Sequence, residues 1–204
     1  MTSRSLPILA LVLLVATGCS STRVVSEWRN PEYASPEFRR IMVVGVSQQP
    51  GIRRKFEDAF VAKLKEAGVD AVPSYVYIPE DGPVAESRLE EAVRRANADA
   101  ALITKLVRAE RRTEVIPGYY APPPGPVGLY PWYAAAWAWY YEPPKIYERV
   151  VYVSETSLYD LRGNRLVWSG TVQTDATGNV DKAIKQYVKT VVKALERDGV
   201  LAAA

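Results

Sequence analysis

Glu57, Asp58, Glu90 and Glu91 are the first residues to weigh for catalysis, because two carboxylates held together can divide general acid and base work. All four fall at outward positions of helical patterns, where a solvated ion pair is the ordinary role. The chain contains no histidine, which removes imidazole bases and imidazole metal ligands. A serine nucleophile would then need lysine or a carboxylate as its base, and neither Ser-x-x-Lys nor Gly-x-Ser-x-Gly occurs. Residues 45–51 join a strand pattern to a helix start, a place where backbone N–H groups can hold an anion. Pro50 removes one of those donors and the Lys-Ser or Lys-Thr of a nucleotide loop is missing, so an ordinary turn is expected. The expectation is a non-enzymatic chain with no metal and no cofactor.

One cysteine, Cys19, also excludes a disulfide framework and a cysteine-cluster zinc site. It follows Arg4, an apolar run from Leu6 to Ala16 broken by Pro7, and the small residues Ala16-Thr17-Gly18. A positive start, a short apolar stretch and a small-residue cleavage site describe a secretory signal, and the run is too short to span a bilayer. Ala16-Thr17-Gly18-Cys19 resembles a bacterial lipobox, with alanine where leucine is commoner. That resemblance implies a signal peptide over 1–18, acylation of Cys19, a lipidated tether over 19–39 and the membrane as first partner. Ser20 and Ser21 follow the cysteine, with no aspartate, and similarity to enterobacterial sorting rules then implies the periplasmic face of the outer membrane.

Binding chemistry concentrates in residues 116–144. They hold eight of the 15 prolines, six of the 13 tyrosines and three of the five tryptophans. Tyr119, Tyr120, Trp132, Tyr133, Trp137, Trp139, Tyr140 and Tyr141 are large amphipathic groups enriched in binding hot spots and at membrane interfaces. Prolines at 117, 122, 123, 124, 126 and 131 argue against helix or strand here, so a stiff interaction loop is expected. Its other reading is a segment folded back over an open sheet face. A second feature is a basic stripe, Lys182, Lys185, Lys189 and Lys193, at helical spacing. It is either a solvated face or a contact for anionic headgroups and polymers. A net charge of only +3 excludes a nucleic-acid role.

The elements that position these groups are legible as periodicities. Ile41-Met42-Val43-Val44-Gly45-Val46 reads as a strand buried on both faces. Ile52, Phe56, Ala59, Phe60, Leu64 and Ala67 recur at helical spacing, with Arg53–Glu57 and Arg54–Asp58 as surface pairs and Gly68 as the end. An edge strand over 70–77 containing Pro73, a second helix through Leu89 to Ala96, and a central strand from Ala100 to Val107 or Val115 follow. A hairpin covers 147–159 and 166–172, turning at Arg162-Gly163-Asn164, and a last helix runs from Val180 to a stop at Gly199. Val24 to Trp28 is a shorter element packing on the domain. The fold class is α/β (α+β): one domain over 40–200 with a single mixed sheet of about five strands and three helices, order βαβαβββα.

Trp28-Arg29-Asn30-Pro31-Glu32-Tyr33, residues 41–46, Arg53-Arg54, Phe56-Glu57-Asp58, Glu155-Thr156-Ser157-Leu158-Tyr159-Asp160 and Leu166-Val167-Trp168-Ser169-Gly170 carry a resemblance. They resemble a group of bacterial lipoproteins sharing a periplasmic α/β domain to which no function is assigned. The element order is also similar to the TolB amino-terminal domain, to lipoprotein activators of peptidoglycan synthases and to the curli-secretion lipoprotein. What this implies is a non-catalytic binding or adaptor role in the cell envelope, with an envelope protein or a second copy of the chain as partner. An oligomeric structural or secretion component of the outer membrane is the first alternative, and an envelope hydrolase working without histidine the second.

Overall fold

The apolar run over 41–46 forms β2 (Ile41–Val46), and the computed structural model builds one mixed sheet around it. Residues 22–33, 38–118, 128–138, 143–176 and 179–201 are described. Cys19 therefore lies outside them. The strands are β1 (Thr22–Arg29), β2, β3 (Ala71–Pro73), β4 (Ala100–Ile116), β5 (Lys145–Asp160) and β6 (Arg165–Ala176). Helices α1 (Pro50–Glu66), α2 (Glu86–Ala96), α3 (Leu129–Ala138) and α4 (Val180–Arg197) complete the set. Spatial order in the sheet is β1-β6-β5-β4-β2-β3, with β2 parallel to β3 and β4 and the other neighbours antiparallel.

Six strands and four helices replace the expected five and three. Part of the segment read as tether is β1, paired with β6 from Thr22↔Thr174 to Arg29↔Trp168. Its β-branched Thr22, Val24 and Val25 favour an extended chain, but polar neighbours and the prolines downstream mask the pattern. The second addition is α3, inside the segment expected to be irregular. Pro131 sits in its first turn, where an N–H has no acceptor within the helix, and Ala134, Ala135, Ala136 and Ala138 are strong helix formers. At the other edge β3 stops at Pro73, which cannot donate to the ladder, and Ser74–Val76 turns away as a single 3-10 turn.

α1 and α4 lie side by side on one face, over β2, β3, β6 and β1. Ile41, Val43, Phe60, Leu64, Leu102, Leu158, Val172, Val188, Val191 and Leu195 form the core between them. Phe56, Phe60 and Tyr187 stack across the α1–α4 seam with ring centroids 5.0–6.1 Å apart. Right-handed crossovers put α2 on the opposite face, where Met42, Ala101, Ala92 and Ala96 are buried. Gly68 (φ +77°) and Gly199 (φ +63°) end α1 and α4 in the left-handed region that glycine adopts without strain.

Trp168 is fully buried, its indole N–H donates to Asp198 Oδ2 at 2.8 Å, and its ring lies over Gly170. A Cβ on residue 170 would stand 2.3 Å from Trp168 Cη2. Gly170→Ala is expected to cost about 1–3 kcal/mol, read as a lower urea midpoint, because the indole must leave its slot.

The hydroxyls of Thr104, Thr156 and Tyr187 form a buried chain with steps of 2.6 and 2.7 Å. Burial pushes the Tyr187 phenol up to about 12, with the threonine hydrogen bonds opposing it in part. An unfolded tyrosine ionises near 10. Stability from the protonated phenol is therefore complete below about pH 10 and lost as pH rises toward 12. Alkaline unfolding of Tyr187→Phe should lack this component; an unchanged pH profile would contradict the assignment.

Candidate interaction surface

The one buried ion pair among the described residues sits at the top of α1, and its geometry is structural. Arg53 and Glu57 were expected as a surface pair, but both are buried. Gly45 on β2 leaves room beside them, with Glu57 Cγ and Arg53 Cγ 3.5 and 3.6 Å from where its Cβ would be. Glu57 Oε1 accepts from Gly45 N (2.9 Å), Arg53 Nε (3.0 Å) and Ser74 Oγ (2.8 Å), and Oε2 accepts from Tyr75 N (3.0 Å). Arg53 donates onward to Ser74 Oγ and to the carbonyls of Ile78 and Glu80 at 2.7–3.0 Å. A carboxylate with four donors and no water-facing lone pair is a clasp, not a base. Asp58 is exposed and accepts from the Tyr75 hydroxyl at 2.7 Å, while Arg54 lies over the Tyr75 ring. Glu90 and Glu91 pair with Arg94 and Arg88 on the exposed face of α2.

Other charged clusters are similarly occupied with their own groups. Arg40 donates to Asp70 at 2.6 Å, and Asp99 accepts from the backbone N–H groups of Arg39 and Arg40. Burial opposes ionisation of Asp160, but two side-chain bonds and one backbone bond from Arg162 outweigh it, and its carboxyl is held below the usual carboxylate range. Among the described residues no group of three or more acidic or cysteine side chains is placed to hold a metal ion.

What the sheet exposes is an arm. β4 pairs with β2 only as far as Lys105, and β6 pairs with β5 only from Val150 onward. Arg112–Ile116 facing Lys145–Arg149 is consequently a two-stranded ribbon beyond the body of the sheet. Its foot is laced by ion pairs: Glu110 with Arg108 and with Arg112 (3.0 Å), and Arg149 with Glu114 (3.8 Å) and Asp175 (3.5 Å). Hydrogen bonds from the two arginines hold the Glu110 carboxyl below its ordinary value. Its end carries Val115, Ile116, Ile146 (67% exposed) and Tyr147 in solvent, with Lys145 opposite Ile116. The connection between these strands contains α3, which packs extensively on no other element among the described residues. Leu129, Tyr130 (85% exposed), Trp132 and Tyr133 are exposed along it.

Of the residues singled out by sequence, Trp132 and Tyr133 lie on this exposed helix, and Trp137 falls on its last turn. Tyr119, Tyr120, Trp139, Tyr140 and Tyr141 lie outside the described residues. Lys182, Lys185, Lys189 and Lys193 all project from the exposed side of α4, opposite Tyr187, Val188, Val191 and Leu195. Composition alone missed the strand-borne half of the surface, Val115, Ile116, Ile146 and Tyr147. A signal for it was present, since no charged residue occurs between Glu114 and Glu142. None of the described helices is long and apolar enough to cross a membrane.

Solved structures similar to this chain include the following three. A PelC dodecamer from Paraburkholderia phytofirmans matches at 14% identity and TM-score 0.48, over 85% of this chain and 96% of that one. Lipoprotein GNA1162 from Neisseria meningitidis matches at 14% identity and TM-score 0.42, over 78% and 98% respectively. A PDZ domain protein from Parabacteroides distasonis matches at 8% identity and TM-score 0.38, over 86% of this chain and 36% of that one. Likenesses this distant say nothing about what this chain binds. No protein-family profile and no curated protein matches it.

If the Glu57 clasp is structural, Glu57→Ala should cost about 3–5 kcal/mol by leaving Arg53 buried without its partner. The double variant Arg53→Met/Glu57→Leu should recover part of that loss. Recovery stays incomplete because Gly45 N and Tyr75 N still lose their acceptor. Urea unfolding of the three chains decides it; a double variant no more stable than Glu57→Ala would refute this account.

Proposed function

We propose that the chain is a lipid-anchored protein of the bacterial envelope whose α/β domain is a non-catalytic binding module, with the β4–β5 arm as its contact surface. The observation that carries this reading is the set of large apolar and aromatic groups left in solvent, Ile116, Ile146 and Tyr147 at the end of the ribbon and Leu129 and Tyr130 on the helix of its connection. Exposed apolar groups in such number are costly to leave in water, and monomeric soluble domains seldom keep them without a use. Cys19, acylated at the lipobox-like site, supplies attachment to the membrane, with the periplasmic face of the outer membrane as the location. The lysine stripe on α4 is a secondary, electrostatic contact.

A second reading, an oligomeric structural or secretion component, draws on a different observation. Beyond Lys105 the outer edge of β4 has no strand partner among the described residues, and such an edge is a template for another chain.

A photo-crosslinking residue placed at Tyr130 in growing cells tests both. Adducts to an envelope component that disappear in Ile116→Ser/Ile146→Ser, with thermal unfolding unchanged, are expected. Adducts only between copies of the chain would replace the first reading by the second. No adducts at Tyr130, together with an unaltered envelope in the variant, would overturn both.

A further inference from the structure

The two ends of the proposal, Cys19 and the arm, meet at one end of the sheet. Strand register fixes this. Thr22 at the start of β1 pairs with Thr174, Thr174 with Tyr152, and Tyr152 with Ala109. Thr22 therefore stands level with Ala109, and β4 continues from there to Ile116. Seven residues of strand rise about 23 Å above that level at ~3.3 Å per residue, the last five of them, about 16 Å, as the two-stranded arm. Cys19 is three residues before Thr22, a separation of at most about 10 Å in extended chain. From Thr22 to the arm is three strand spacings across the sheet, about 14 Å.

We infer that the arm is a second membrane contact, its apolar end lying in the headgroup layer of the bilayer that holds Cys19. This rests on the reading of Cys19 as acylated. With this end of the sheet turned to the bilayer, an anchor within about 10 Å of Thr22 brings a strand end that rises about 23 Å above it into the interface.

The chemistry of the arm fits the headgroup layer. From Val115 to Tyr141 the sequence has no charged residue, Lys145 stands opposite Ile116 at the end of the ribbon, and the exposed groups there and on α3 are Val, Ile, Leu, Tyr and Trp, the set found at the boundary between headgroups and acyl chains, where a lysine reaches the headgroups. Depth is limited by backbone chemistry. A two-stranded ribbon has unpaired edge groups that hydrocarbon cannot satisfy. The ten residues of α3 make about 15 Å of helix, half a bilayer core of about 30 Å. Shallow seating of about 5–10 Å is the depth open to it. Lys182, in the first turn of α4, stands at this same end, since α4 begins where β6 ends.

Acylation leaves the added thiol of Tyr130→Cys or Ile146→Cys as the one site for a fluorophore, because Cys19 is the chain's only cysteine. Full-length protein from membranes, labelled with NBD, is reconstituted into phosphatidylethanolamine–phosphatidylglycerol vesicles with and without nitroxide on the acyl chains. Glu66→Cys, exposed at the far end of α1, is the reference. Quenching of roughly two-fold at positions 130 and 146, none at 66, and loss of quenching at 130 on adding Ile116→Asp are expected for a shallow seat. Acyl mass present on Cys19 without quenching at 130 or 146 overturns the inference and leaves the anchor standing. A chain without acyl mass on Cys19 overturns both.

Discussion

The β4–β5 ladder is the constraint on which the rest of the molecule depends. It runs from Ala100↔Asp160 to Ile116↔Lys145 with one irregularity, between Leu106 and Arg108. Its lower half is held by α1, α4 and the neighbouring strands, so the direction of its upper half is set inside the core. An antiparallel pair cannot bend sharply without giving up cross-strand hydrogen bonds, which makes the ribbon a stiff continuation of the body. Of the connection it carries, α3 packs extensively on no other element among the described residues.

Polarity elsewhere is spent on closing the fold. Glu57, Asp70, Asp99, Asp160 and Asp198 each accept from named donors on neighbouring elements. Such saturation rigidifies turns and helix ends and engages all five of these carboxylates in holding the fold. The charged ring at the foot of the arm is likewise self-paired, and a boundary therefore runs between a charged base and an end whose described residues are apolar apart from Lys145. This boundary, more than any single tryptophan, distinguishes the arm from an ordinary long hairpin.

Much of the fold was readable because its signals are local. The run over 41–46, the helical spacing of Phe56, Phe60 and Leu64, and the stripe from Ile184 to Leu195 each report burial against a neighbour close in sequence. What escaped depends on distant partners. Val24 to Trp28 was legible as an element packing on the domain, but its place in the sheet was not, because β6, some 140 residues later, offers the edge it pairs with. Glu57 looks like a solvated helix residue until Gly45 and Ser74 are folded against it. α3 was hidden because Pro131 was weighed as a breaker, whereas its position in the first turn makes it harmless. Of the surface, the aromatic residues were visible by type, while Ile116 and Ile146 became part of it only when the register brought the strand ends together.

The placement of β1 also decides how the domain bears force. Any pull applied upstream of Thr22 enters through the first residue of an edge strand and acts along its axis, away from Arg29. The β1–β6 hydrogen bonds lie across that axis, so tension loads them together in shear instead of opening them one at a time. At the far end of the strand Asn30 N donates to Val167 O, the Asn30 side chain reaches Leu166 O, and Arg29 holds the carbonyl of Tyr33. The strand through which the chain upstream of Thr22 enters the domain is thus fastened at the end opposite the load, the arrangement by which a short edge strand resists being stripped from its sheet.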